Sequence, residues 1–324
     1  SRACSSFGAA SLVRVGMAAQ TVGEGRVAIV SRHLTAAPVS AAAEALPPRV
    51  VVEFYFDTSS PWTYMAFSRI REVCARTGAE LSLKPFLVGG VFNVANKSLY
   101  AARDKMMAKT DKSAPSAERE APSPKELWGG RNMVAWADYL GLDIKSMAAR
   151  FNARTKSGAP GHPISAVKML RGALVAQEES EEALVRFSFA SFDAYWGTLR
   201  DVSDDAVIRE LHREAGLRIP VDAFMQRLDS EDVRARLRAN TEAVLRLGGF
   251  GSPVAYVSRP DGHPGFEPQM HWGNDTMELV EAAVLRAKGR PWRYHDRCGV
   301  PPAWPGPRNR PRDGWASLTT REGR

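Results

Sequence analysis

The stretch that most restricts the fold runs from Val50 to Phe86. Val50-Val51-Val52-Glu53-Phe54-Tyr55-Phe56 is β-branched and aromatic, which is the pattern of a buried strand. Asp57 to Pro61 reads as a turn, and Pro61 suits the first position of a helix, where its missing N–H costs nothing. Met65, Ala66, Ile70, Val73 and Cys74 then recur at helical spacing, and Glu80 to Phe86 alternates as a second strand. A strand, a helix and a strand so closely spaced form a crossover unit, and the crossover makes the two strands parallel.

From about residue 98 to 247 the pattern is helical, with helices expected over Met133–Leu140, Ile164–Gln177, Glu181–Thr198, Asp204–Glu214 and Asp232–Leu247. Ser203-Asp204-Asp205 offers an N-cap and Gly216 a stop. After Gly248 to Pro253 the segment Val254–Val257 reads as a strand and Met270–Trp272 as a short one. Asn274-Asp275 is expected to cap a final helix over Thr276–Lys288. This order is the thioredoxin plan, an α/β fold, with a long all-helical domain inserted between the βαβ unit and the β-hairpin and helix. The expected organisation is an extension at 1–48, thioredoxin-like parts at 49–97 and 248–288, helical insertion at 98–247, and an arm at 289–324.

The net charge of +8 suggests nucleic acid until it is located. Residues 1–50 hold five arginines against two glutamates, residues 289–324 hold eight arginines against three acids, and the rest is balanced. The folded part carries no basic excess, which argues against a nucleic-acid partner. The acid-poor, Ala/Ser/Arg-rich first 48 residues resemble a transit peptide and point to the mitochondrion. The Arg/Pro/Trp-rich arm, with Trp304 and Trp315, is expected to pack on the domain or contact a protein partner. The polar, mixed-charge segment 98–124 is expected to be a mobile, solvated loop. No run is apolar enough for a membrane span. Cys4, Cys74 and Cys298 are too dispersed for a zinc site or disulfide framework, and Cys74 is expected in the core. The histidines lack metal-ligand spacing, so no metal is expected, and His263 and His271 are expected at the surface of the hairpin.

The turn after the first strand carries the chemistry. Redox proteins of this plan place a Cys-X-X-Cys there, with the first sulfur at the helix N-terminus, where backbone N–H groups favour a thiolate. Here the turn reads Ser60-Pro61-Trp62-Thr63, with hydroxyls in place of both sulfurs. Thiol–disulfide exchange needs a thiolate that neither can supply. Ser60 can instead donate a hydrogen bond to a thiolate brought by a ligand, glutathione being the obvious one, or it can serve simply as an N-cap.

Phe54-Tyr55-Phe56-Asp57, Ser60-Pro61-Trp62-Thr63-Tyr64 and Lys84 to Phe92 together resemble the kappa-class glutathione transferases and the related bacterial 2-hydroxychromene-2-carboxylate isomerases. The resemblance continues through Ala95-Asn96-Lys97, Phe192-Asp193-Ala194-Tyr195-Trp196, Gly249 to Pro253 and Trp272 to Leu279, and covers about residues 50–288. It implies that Ser60 hydrogen-bonds the glutathione sulfur, flanked by Pro61 and Trp62. It implies a cis Pro253 facing Ser60, with the Ser252 backbone pairing with the cysteinyl unit. It implies that Asn96 contacts the tripeptide and that Asn274 and Asp275 hold its γ-glutamyl end. Lys125 fits the family pattern as a substrate-side residue. At the neighbouring substrate-side position Trp128 replaces a tyrosine, Asn132 an aspartate and Ala137 an arginine, while Thr276 stands where the family often has arginine.

The expected function is therefore that of a glutathione-dependent enzyme of the kappa-transferase type, adding the thiolate to a small electrophilic or aromatic substrate or reducing a peroxide. The alternatives are an isomerase of the hydroxychromene type and a catalytically degenerate subunit of a mitochondrial complex. The family is commonly dimeric, so a homodimer is among the partners the resemblance implies.

Overall fold

A computed structural model describes residues 48–98, 123–261, 266–293 and 297. The expected features of the N-terminal extension, of nearly all of segment 98–124, of His263 and of the tail tryptophans Trp304 and Trp315 lie outside these residues. Strand β1 (Val51–Phe56) leads through Ser60 into helix α1 (Pro61–Thr77) and then β2 (Glu80–Pro85). Strands β3 (Val254–Ser258) and β4 (Gln269–Trp272) complete a four-stranded sheet of order β2-β1-β3-β4. β1 runs parallel to β2, with Phe54 opposite Leu83, and antiparallel to β3, with Phe54 opposite Ala255.

Both faces of the sheet are covered, which is why β1 reads as an almost unbroken apolar run. Val52, Phe54 and Phe56 point into the main core. Tyr55 points to the other face, into a smaller cluster with Phe86, Val88, Val91, Val244 and Val254. Helix α2 (Val88–Ala95) belongs to this second layer. Sequence reading misses α2, because Gly89-Gly90 dilutes the helical pattern.

Between β2 and β3, after α2, come α3 (Pro124–Leu140), α4 (Met147–Asn152), α5 (Val167–Glu179), α6 (Glu181–Phe192), α7 (Asp205–Glu214), α8 (Val221–Leu228) and α9 (Glu231–Arg246). Helix α3 begins nine residues before the expected Met133, because Ser123, Pro124 and Glu126 form a complete capping box that outweighs Gly129-Gly130. The expected helix Glu181–Thr198 changes character after Phe192 and closes as a π-helix over Asp193–Gly197. The short α4 and α8 were not expected, being too brief to show a clear period. Asp204 caps α7 as expected, its side chain accepting the Ala206 N–H.

One apolar cluster joins the inner face of the sheet, α1, α5, α6 and the final helix α10 (Met277–Ala287), so sheet and helices share a core. Cys74 lies in it, 3% exposed, with burial pushing its thiol up to about 12. Asn274-Asp275 does not cap α10 through a side chain. It forms a 3-10 turn, Asn274–Thr276, and Thr276 is the residue at the cap. The expectation that His271 is a surface residue is also corrected. It sits half-buried on β4 opposite Ala255, its Nε2 has no hydrogen-bond partner among the described residues, and burial lowers its pKa. No helix among the described residues is long and apolar enough to cross a membrane.

Candidate active site

The site is built where β1 ends. Asp57 is fully buried, and its carboxylate organises the turn: Oδ1 accepts the Ser59 N–H and hydroxyl, both at 2.8 Å, and Oδ2 accepts the Val88 N–H at 2.8 Å. The Trp196 indole, carried by the π-helix, donates to the Thr58 carbonyl at 3.1 Å. The loop before Ser60 is thus held from both sides, by α2 through Asp57 and by the helical segment through Trp196.

Burial raises the Asp57 carboxyl above its usual range despite these bonds. The folded chain therefore holds this proton more readily than the unfolded one, whose carboxyl titrates near pH ~4. Stability falls as pH rises from there to the raised folded value, and is level on either side. Urea unfolding of Asp57→Asn across this window is expected to lack that slope. A slope equal to wild type would assign it elsewhere.

Ser60 is the N-cap of α1, half-buried, and its Oγ accepts the Thr63 N–H at 3.3 Å. Among the described residues the hydroxyl proton has only the Ser252 carbonyl to meet, at 3.4 Å, the outer limit of a hydrogen bond. Thr63, where the redox motif has its second sulfur, is different. It is fully buried, and its Oγ1 lies 2.8 Å from the Ser252 Oγ. Ser252 Oγ in turn accepts the Asp57 N–H at 3.1 Å. One hydroxyl of the motif is structural, and the other is weakly held at the half-buried N-terminus of α1.

The Ser252-Pro253 bond is cis, and it faces Ser60 as the resemblance implied. The glycine before it has a packing reason: a Cβ on Gly251 would stand 2.5 Å from the Trp272 Nε1. The Gly273 N–H donates to the Pro253 carbonyl at 3.1 Å, so the β4 end and Asn274 follow directly from the cis-proline edge. Asn274 is 1% exposed, whereas Asp275 is exposed. Pro61 is buried and Trp62 packs partly buried against the main core.

The other expected residues are less closely joined. Asn96 ends α2, its backbone N–H bonded to the Phe92 carbonyl and its Oδ1 accepting the Ser98 hydroxyl at 3.3 Å. Lys125 and Trp128 stand exposed on the first turns of α3, outside the hydrogen bonds that tie Ser60 to Ser252. Ala137, where the family has arginine, is 3% exposed and packed in the main core. Sequence reading missed Arg69, which α1 presents to Asn274 from 205 residues away in the chain. It also missed the role of Asp57, although Asp-x-Ser before a helix is a readable turn signal.

A parallel βαβ unit, an antiparallel hairpin and a cis-proline opposite a helix N-terminus define a thioredoxin-like domain. A family model described as the DSBA-like thioredoxin domain matches residues 51–285. The chain belongs to that family. Among curated proteins it is 26% identical over 238 residues to glutathione S-transferase kappa 2 of Caenorhabditis elegans, covering 72% of this chain and 92% of that one. It is 22% identical over 235 residues to glutathione S-transferase kappa 1 of Rattus norvegicus, covering 72% and 90%. Among solved structures, a probable DsbA oxidoreductase from Streptomyces coelicolor superimposes with a TM-score of 0.51 at 18% identity, over 75% of this chain and 92% of that one.

Proposed function

We propose that this chain is a glutathione-dependent enzyme of the kappa-transferase type. The observation that carries the reading is the asymmetry of the two hydroxyls, with Thr63 committed to Ser252 while Ser60 keeps a weakly engaged proton at the N-terminus of α1. Among the described residues the cysteine is Cys74, a buried thiol raised to about 12, so a reactive sulfur at this turn has to come with the ligand. The names of the curated relatives support the same choice.

In this reading the glutathione sulfur sits beside the Ser60 Oγ at the positive N-terminal end of α1, and the two together favour its thiolate. The thiol proton leaves to solvent. The sulfur lone pair then forms a bond to the electrophilic carbon of the second substrate, and the displaced electron pair leaves with the departing group or settles on the acceptor. In the same reading the Ser252 backbone, beside the cis-proline, pairs with the cysteinyl unit and Trp62 flanks it. Asn96, Asn274 and Asp275 complete the proposed glutathione contacts, with Lys125 and Trp128 towards the second substrate.

Titration of the full chain with glutathione, following thiolate absorbance and thermal shift, tests this. Binding with a thiol pKa below that of free glutathione is expected. At 100 times the dissociation constant the stabilisation should reach roughly 2.7 kcal/mol. One observation favours a second reading, a docked non-catalytic subunit: Leu127, Trp128, Val134 and Tyr139 leave apolar surface open on α3. Absence of binding at millimolar glutathione would select it.

A further inference from the structure

Arg69 lies on α1 with its side chain 17% exposed. Its Nη1 donates to both the carbonyl and the Oδ1 of Asn274, each at 3.2 Å, and its Nη2 pairs with the Glu278 carboxylate. The guanidinium carbon lies 5.4 Å from the centre of the Trp136 ring. The bond to Oδ1 fixes the Asn274 amide, oxygen towards arginine, and leaves its Nδ2 buried with no hydrogen-bond partner among the described residues. A buried donor left without a partner forfeits its hydration with nothing in return, so it calls for an acceptor.

The position of this group matters as much as its chemistry. Ser60 faces Ser252, the next residue is Pro253, the Pro253 carbonyl takes the Gly273 N–H, and Asn274 follows. On α1, Arg69 lies two turns below Trp62 on the same face. That is about 10 Å along the axis, close to the span of an extended tripeptide. Thr276 cannot supply a cation, and its hydroxyl is spent on the Gly273 and Trp272 carbonyls at 3.0 and 3.3 Å.

We infer that Arg69 is the specificity-determining cation for the α-amino-acid end of the thiol ligand. This inference rests on the glutathione reading of the site and goes beyond it. A free amino-acid head carries a carboxylate and an ammonium side by side. Arg69, with N–H groups to spare, and the Asn274 Nδ2 take the carboxylate. The Glu278 carboxylate, 61% exposed and therefore weakly held by its partner, takes the ammonium. A dipeptide thiol that lacks this head, such as cysteinylglycine, would gain nothing from Arg69.

The test is calorimetric titration of the full chain and of Arg69→Met with glutathione and with cysteinylglycine. Wild type is expected to bind glutathione at least about tenfold more tightly than the dipeptide. Arg69→Met should lose roughly 10- to 30-fold in glutathione affinity while its affinity for the dipeptide stays unchanged, so the selectivity collapses towards one. A merely structural arginine would weaken both thiols together, and a variant that keeps the wild-type ratio overturns the inference. Should Arg69→Met fail to fold, Arg69→Gln keeps donors for Asn274 without the charge and must show the same collapse. Wild type that binds both thiols equally overturns the role of Arg69 alone. Wild type that binds neither overturns the glutathione reading, and this inference with it.

Discussion

Ser60→Ala is expected to slow turnover of a generic electrophile with glutathione by roughly 10- to 150-fold. The range follows from a hydrogen bond to a charged acceptor being worth about 1.5–3 kcal/mol, with each 1.36 kcal/mol a factor of ten. The Ser60 Oγ–H meets the Ser252 carbonyl at a long 3.4 Å, so little is given up when it turns to a sulfur. The pKa of the bound thiol should rise by about one to two units towards that of free glutathione. The same substitution removes the N-cap that accepts the Thr63 N–H, at a cost of about 0.5–2 kcal/mol in stability. That leaves a typical domain folded at room temperature. Rate and thiolate absorbance therefore report the site, while the urea midpoint reports the cap. Unchanged rate and absorbance, in a variant whose midpoint has shifted, would reduce Ser60 to a cap.

The parts of this site that lie within one element or one turn were legible from sequence. Val50 to Pro61 reads as strand, turn and helix start because burial on both faces and the proline at the first helical position leave few alternatives. Ser60 stands out because strand, turn and helix-starting proline are continuous around it, whereas Pro253 stands out through the family resemblance. What could not be read is what crosses the chain. The Asp57 contact with Val88 spans 31 residues, the Thr63 contact with Ser252 spans 189, and the Arg69 contact with Asn274 spans 205. None leaves a local pattern, since any helix of this composition carries arginines and threonines. Helix ends were misplaced where a local rule competed with another. Gly129-Gly130 argues against a helix that the capping box at Ser123 nevertheless starts, and the long run Glu181–Thr198 conceals a switch to π geometry at Asp193. Asn274 and Asp275 look like a cap by residue type, yet the Asn274 oxygen that could cap α10 is taken by Arg69.

The largest loss of stability is expected from Phe192→Ala. Phe192 is fully buried at the end of α6, and its ring stacks on Tyr64 with centroids 4.9 Å apart and planes 6° from parallel. It also meets Phe67 at 5.3 Å and Phe56 at 6.3 Å, so one side chain ties the helical segment to both α1 and β1. Truncating a buried phenylalanine costs about 3–5 kcal/mol, because the lost transfer energy is joined by the cavity left behind. For a chain of this size that lowers the melting temperature by roughly 6–20 °C. The shape of the transition is as informative as its position. If residues 98–247 behaved as a domain with a core of their own, removing this tie would split unfolding into two steps. Because one apolar cluster runs through the sheet, α1, α5, α6 and α10, unfolding should stay a single step, with near- and far-ultraviolet circular dichroism changing at the same denaturant concentration. Separate midpoints would mean that the aromatic contacts of Tyr64 and Phe67 with α6 join two independent cores. Coincident midpoints would mean that the helices position α1, and with it Ser60, as part of one cooperative structure.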